Sequence, residues 1–533
     1  MTPAKANPAQ APDIPLWMLF PLFFAAIFLS HWTLLHLPYF WDEAGYYIPA
    51  AWDLFRTGTL IPVTTASNAH PPLPSLLLAA WWHLSGFVII GTRTFVCFVS
   101  AAALLAVFKI ARTLTNSTLA TVTAFLTAIY PVWFAQSTLA HADIFAAAFT
   151  LWGLAFYIDH TLEPKSELGT STDSNACFWS AGLFALAALS KETAILTPCA
   201  LAAWEACLYL KSRRSQHLGW IAALTAPLLP LIAWYAYHHY RTGFTFGNPE
   251  FLRYNATANL DAYRVALGLW HRFLHLAVHM NMFVPVACAV ATLFIPTNSK
   301  SPSAISRSAR NAIAIVIVSH WLAFSILGGA LLTRYLLPAF PLIIFLCVAT
   351  WHRHLRQWPY LAALSAIAFL SAIWINPPYA FAPEDNLTYR DMIVLHQHAV
   401  QVIETRFPAA TVLTAWPATS ELTRPELGYS ISPIKVTPIQ NFSSEEIQKA
   451  AADPSGYDTA LIFSTKWAPP AGHLNLGKQN VSADVRYFDF HRDLSPSEVA
   501  AILHGEIVWQ ARRKGEWAAV LHFPRIVNAG LSP

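Results

Sequence analysis

The sequence predicts an α-helical polytopic membrane protein of about eleven transmembrane helices with a C-terminal extramembrane α/β domain. Three observations predict it. Of 533 residues, 55% are hydrophobic and 12% charged, with a mean hydropathy of +0.42; soluble domains carry roughly twice that charged fraction. Apolar runs long enough to cross a bilayer recur from Leu16 to residue 376, separated by short basic turns. From Pro377 the runs shorten and alternate with polar stretches. The net charge of +4 is small and dispersed, which excludes a nucleic-acid footprint.

A crossing needs roughly 20 apolar residues. The candidate spans are 16–38, 93–112, 118–135, 143–159, 176–190, 193–210, 218–238, 272–296, 311–330, 335–351 and 359–376. The polar start, Met1 to Pro15, leads into a run too long for a signal-peptide core, so the first span is expected to be retained. The basic turns Lys109/Arg112, Lys211 to Arg214, Lys300/Arg307/Arg310 and Arg353/Arg356 then share one side, which is the cytoplasm. The N-terminus is inside and the C-terminus outside. Leu73 to Ile90 is apolar too, but Pro71, Pro72, Pro74 and Gly86 bound or cut it. Counting it as a span would turn every later basic loop outward. It is read, with Ala44 to Phe55, as helix lying in the outer interface, where Trp41, Trp52, Trp81 and Trp82 belong.

The division falls at residues 1–376 and 377–533. In the second part Ala410–Ala415, Ile431–Thr437, Thr459–Phe463, Val485–Phe490, Glu506–Ala511 and Ala518–His522 read as strands. Arg390–Thr405, Ser443–Ala452 and Ser495–Leu503 read as helices, the last two opened by Ser caps. The six cysteines all lie in apolar segments, none beyond Cys347, and read as small buried hydrophobes. Sequons stand at Asn255, Asn386, Asn441 and Asn480.

This topology collects ionisable residues on the outer face. The first loop supplies Asp42, Glu43 and His70, and the next His141 and Asp143. Later turns supply Lys191 and Glu192, then His238, His239 and Arg241, then Arg334. Ionisable residues at spans point to function. A carboxylate can take a proton from an acceptor. Arg and Lys can hold a departing phosphate. Each has a plainer reading. Asp42 and Asp143 would cap helices, Lys191 and Glu192 would pair with each other, and Arg334 would snorkel to lipid headgroups. His70, His141 and Asp143, and His239 beyond them, have metal-ligand chemistry without a recognised spacing, so a divalent metal stays open.

Trp41-Asp42-Glu43-Ala44 with Tyr46-Tyr47, then His70-Pro71-Pro72-Leu73, resembles the first outer loop of glycosyltransferase family 39 and its GT-C superfamily relatives. These include the protein O-mannosyltransferases and the aminoarabinose transferases that modify lipid A. Ser137 with Ala140-His141-Ala142-Asp143, Leu189 to Ala194, and Arg334 to Pro341 continue the resemblance in the family's order, over about Leu16 to Thr350. It implies a GT-C fold with interfacial helices after the first span, and inverting transfer from a lipid-phosphate-linked sugar. Asp42 would be the catalytic acidic residue with Glu43 beside it, and Asp143 a second acidic site. Lys191 and Arg334 would face the donor phosphate. The chain departs from the family in having His70 where a Lys is common, and His141-Ala142-Asp143 where Arg-x-Asp or Ser-Glu is common.

The sequence therefore reads as an integral-membrane glycosyltransferase, mannosyltransferase-like, of the bacterial inner membrane. A polyprenyl-phosphate-linked sugar is the donor and a lipid, glycan or protein the acceptor. Asp42, Glu43 and Asp143 are the catalytic candidates. Lys191, Arg334, Arg241 and His70 are the phosphate-binding candidates, and His141 and His239 the metal candidates. The rivals are a multi-span lipid or sugar transporter, an assembly subunit, and a phospholipid head-group transferase.

Overall fold

The computed structural model describes residues 15–161, 173–247, 260–297, 305–327, 330–470, 472–477, 481–488 and 491–523. The N-terminal segment before Pro15, Lys300 of the third basic turn and the sequons at Asn255 and Asn480 lie outside the described residues.

Each predicted span falls on helix. Among the described residues five helices are long and apolar enough to cross a membrane: Ile89–Leu114, Ala142–Asp159, Glu192–Ser212, Gln216–Thr242 and Arg307–Ile326. Shorter apolar helices occupy Leu16–Ser30, Ser117–Ile129, Asn175–Ser190, Ala339–His354 and Trp358–Trp374. The predicted span 118–135 is two pieces, Ser117–Ile129 and Pro131–Gln136. Tyr130 between them is extended (φ −64°, ψ 125°), because the residue before a proline is pushed out of the helical region. The predicted span 272–296 is bent by 99° between Ala262–Asn281 and Phe283–Thr292. Met280 (φ 48°) and Asn281 (φ 65°) make the bend in left-handed backbone, a costly conformation for residues with side chains.

Leu73–Ser85 is a helix of 13 residues closed by Gly86 at φ 72°. At 1.5 Å per residue it is about 20 Å long, short of the roughly 30 Å hydrocarbon core. Helix Ile48–Thr57 packs against it. A π-helical turn, Glu43–Tyr47, leads into Ile48–Thr57, and Trp41 just before it has φ 47°. Single π-turns often mark functional positions.

Basic residues recur at the helix ends opposite Asp143, Lys191 and Arg334. Lys109 pairs with Asp159 (3.0 Å) at the end of Ala142–Thr161 opposite Asp143. Lys211, Arg310 and Arg353 likewise sit at the far ends of the helices whose near ends adjoin Lys191 and Arg334.

After Trp374 the chain changes character. Among the described residues five strands form one sheet: β1 (Thr411–Ala415), β2 (Lys435–Ile439), β3 (Thr459–Phe463), β4 (Glu506–Arg513) and β5 (Glu516–His522), in the order β2-β1-β3-β5-β4. β1 pairs in parallel with β2 and β3, and β5 antiparallel with β3 and β4. Helix Thr388–Arg406 packs on β4 and β5. Two expected strands differ. Pro433 delays β2 to Lys435, and Pro438 is tolerated because β2 is an edge strand. Val485–Phe490 was expected extended, yet Val481–Phe488 is helix, with Val481, Val485 and Phe488 at helical spacing.

This unit is clamped to the loop that follows the first helix. The Trp416 indole lies 5.1 Å from the Trp41 ring and 5.5 Å from that of Tyr46. Arg424 donates to the Thr64 carbonyl, and the Tyr39 N–H donates to the Leu427 carbonyl (3.1 Å).

Candidate active site

Five segments bring ionisable groups to one point. Asp42 precedes the π-turn, Asp143 is the second residue of Ala142–Thr161, and Lys191 joins Asp173–Ser190 to Glu192–Ser212. Arg334 lies in the 3₁₀ turn Thr333–Leu336 and Glu384 in the turn Pro383–Asp385.

Arg334 is the hub. Its Nη2 donates to Asp42 and its Nη1 to Glu384. Its Nε lies 3.2 Å from Asp143 Oδ2, where neither atom makes an aligned hydrogen bond. Lys191 Nζ donates to Asp143 Oδ1 at 2.5 Å. Three carboxylates thus share two cations. The Asp42 side chain is 17% exposed, against 2–7% for Arg334, Asp143, Glu384 and Lys191, so Asp42 is the member that meets solvent. The Tyr335 ring underlies the cations, 3.9 Å from Lys191 Nζ and 5.7 Å from Arg272 Cζ.

Burial sets the proton affinities. Burial, reinforced by Asp42, Asp385 and Asp143, pushes Glu384 up to about 8 against the opposing pull of Arg334. The three surrounding acids hold Arg334 charged in spite of its burial. His141 is driven well below its ordinary value by burial and by Arg334, Lys191 and Arg93, so it is neutral.

The plainer readings of these residues change accordingly. Asp42 makes no cap hydrogen bond. Lys191 and Glu192 do not pair with each other, because Glu192 turns to His70 Nδ1 (2.9 Å). Burial raises the Glu192 carboxyl, yet His70 and Lys191 outweigh it and hold it at about 2. Arg334 is buried among acids and does not snorkel.

Glu43 points elsewhere. It is fully buried, 3.3 Å from Arg93 Nη2, and accepts from the N–H groups of Phe40 (2.8 Å) and Ala140 (2.6 Å). Arg93 also donates to the carbonyls of Leu37, Pro38 and Thr138. These bonds tie the first loop to the second and hold the Glu43 carboxylate on Arg93, away from the Arg334 cluster. His70 bonds Glu192, and its ring stacks on that of Tyr47 at 5.8 Å. Arg241 is exposed and stacks on Tyr237. The metal candidates are not brought together either. His141 is buried and bonds Gln136 (2.9 Å), whereas His239 is exposed and bonds Thr245 (3.1 Å). Among the described residues no group of three or more His, Cys, Asp or Glu is placed to hold a metal ion.

Sequence reasoning missed Glu384 and Arg93. Glu384-Asp385 read as linker, yet it repeats the signal of Asp42-Glu43: two adjacent acids just beyond an apolar run. Asp385 is also engaged, 2.9 Å from His279 at the bend and 3.0 Å from Thr333.

Residues 69–237 match the family model described as dolichyl-phosphate-mannose-protein mannosyltransferase. No curated protein matches the chain by sequence. Among solved structures, ArnT from Cupriavidus metallidurans bound to undecaprenyl phosphate is similar at 13% identity, covering 94% of this chain and 98% of that one, with a TM-score of 0.55. Its apo state is similar at 13% identity, covering 95% and 98%, with a TM-score of 0.54. The resemblance carried by the loop motifs therefore extends to the fold: the chain shares that of ArnT over nearly its whole length, and the mannosyltransferase family match runs through the segment that supplies His70, His141, Asp143 and Lys191.

Proposed function

We propose that the protein transfers a sugar from a polyprenyl-phosphate donor to an acceptor hydroxyl at the outer face of a bacterial inner membrane, with inversion at the anomeric carbon. The carrying observation is the convergence of Asp42, Asp143, Lys191 and Arg334 on one site, with Asp42 partly exposed. In this reading the Asp42 carboxylate takes the acceptor proton as the hydroxyl oxygen attacks the anomeric carbon. The bond from that carbon to the phosphate oxygen breaks, and polyprenyl phosphate leaves with the electron pair. Lys191 and Arg334 stabilise the leaving phosphate in a site largely closed to water. Both cations are neutralised by acids here, so a phosphate oxygen must displace a carboxylate contact; Glu384, pushed up to about 8, is the one to yield by protonation. The ArnT structure, bound to undecaprenyl phosphate, supports the donor class. The N-terminus would be cytoplasmic and residues 377–533 periplasmic or extracellular, forming a separate domain that lends Glu384 to the site.

A transporter would place its ionisable residues on broken helices near the bilayer midplane. The 99° bend beside His279 fits that pattern, but the main acid–base cluster gathers where several helices end. A donor screen with radiolabelled polyprenyl-phosphate sugars tests the proposal, comparing wild type with Asp42→Asn. Loss of transfer in the variant, with folding intact, is expected. Equal turnover by both would remove Asp42 as the base.

A further inference from the structure

Away from the Arg334 cluster, a cavity of about 450 Å³ opens at the seam between the first outer loop and the C-terminal unit, a size typical of small-ligand sites. Its floor is Val88, Ile89 and Ile90, where helix Ile89–Leu114 begins. Its wall carries His36, just beyond the first apolar helix, and its roof carries Glu426 and Gly428. The roof sits closely on the floor: Gly428 has φ 93°, and a Cβ there would lie 2.7 Å from Ile89 Cδ1. It is pinned by the Tyr429 hydroxyl, which donates to the Tyr39 carbonyl at 3.1 Å.

Position and chemistry select the occupant. One apolar helix ends and the next begins at this level, so the cavity lies at headgroup depth. Val88 (47% exposed) lines it and Trp32 (51%) packs against His36, and exposed Trp belongs at the membrane–water boundary. Glu426 is a half-buried carboxylate that makes no hydrogen bond or ion pair with any described residue; His36 is exposed, and its ring meets Trp32 edge to face at 6.0 Å. A charge taken partly out of water calls for a partner of opposite sign. We propose that this cavity binds the headgroup of a zwitterionic bilayer phospholipid bearing a primary ammonium. The ammonium sits on Glu426, the phosphate faces His36, and the glycerol end of the acyl chains lies on Val88, Ile89 and Ile90. An anionic headgroup would meet the Glu426 carboxylate without compensation, so the site discriminates by repulsion as well as attraction. The proposal is independent of sugar transfer.

Native mass spectrometry of the purified full chain tests it, with equimolar phosphatidylethanolamine and phosphatidylglycerol of matched acyl chains. Wild type is expected to retain the ethanolamine lipid about tenfold better. Glu426→Gln should erase that preference, and Val88→Trp, which fills the floor, should weaken retention of the ethanolamine lipid itself. Equal retention of both lipids by wild type, or stronger retention of phosphatidylglycerol, overturns the proposal whatever the variants do. So does a preference that survives in both variants.

Discussion

Gly45 lies against the indole of Trp416 so closely that a Cβ on Gly45 would overlap the ring nitrogen. The contact joins the π-turn beside Asp42 to the end of β1 in the C-terminal unit. Gly45 is glycine for want of room, because its backbone is helical and needs no special φ.

Gly45→Ala should therefore displace Trp416 without unfolding the chain. Overpacking of this kind costs about 1–3 kcal/mol. The expected outcome is a modest fall in Tm with a larger fall in transfer, since the loop carrying Asp42 moves. Trp416→Ala in the same background makes room for the methyl group and should restore the Tm. A double variant no more stable than Gly45→Ala alone would show that the contact is not what limits the substitution.

Asp42 and Glu43 are neighbours with separate roles, and stability measurements should separate them. Glu43→Gln leaves the buried Arg93 guanidinium without its counter-charge, an error that costs about 3–5 kcal/mol. Denaturation of Glu43→Gln in detergent is expected to show that loss. Asp42→Asn, at a partly exposed position, should unfold near the wild-type temperature while transfer disappears. The reverse pattern would return Glu43 to the chemistry.

Arg334→Lys tests the hub. A guanidinium reaches Asp42, Glu384 and Asp143 at once through three nitrogens, whereas an ammonium is a point charge. Transfer is expected to fall by about 10²–10³, the range seen when one oriented donor is removed from a reacting centre. Steady-state kinetics should place the loss in kcat as well as KM. A variant within threefold of wild type would mean that net charge alone suffices there.

Glu384 gives a pH signature. Its folded value, about 8, exceeds its ordinary 4.5, so the folded state binds the proton more tightly than the unfolded state. That contribution to stability is complete below about pH 4.5 and is lost as pH rises toward about 8. Glu384→Gln mimics the protonated form and should hold the contribution across that range. The difference in Tm between the variant and wild type is expected to grow in favour of the variant from pH 5 to pH 8. A difference that is flat, or that shrinks with pH, would show Glu384 to be ionised throughout.

Much of the scaffold was legible because it is written locally. Apolar runs marked every helix that carries a predicted span, and Gly86 with the Pro71-Pro72 pair marked the short helix that follows the first loop. Ser443 and Ser495 cap the helices they were expected to open, at Ser444–Ala452 and Pro496–Leu503. The β4–β5 region and β3 were legible for the same reason, as short apolar runs bounded by turn residues. Val481–Phe488 failed because a brief apolar segment supports either period, and neighbouring structure decides between them.

What the sequence by itself determined is the inventory: helices of membrane character, strands mixed with helices in the C-terminal region, and acids and cations gathered at one set of helix ends. Only the tertiary structure decided who meets whom. Asp42 reaches Arg334 across 292 residues, Glu384 joins them from what read as linker, and Glu43 turns away to Arg93 although it adjoins Asp42 in the chain. Helix formation depends on near neighbours and leaves a pattern in the string. The pairing of buried charges depends on which groups the packed helices leave facing one another, and a one-dimensional pattern does not carry that information.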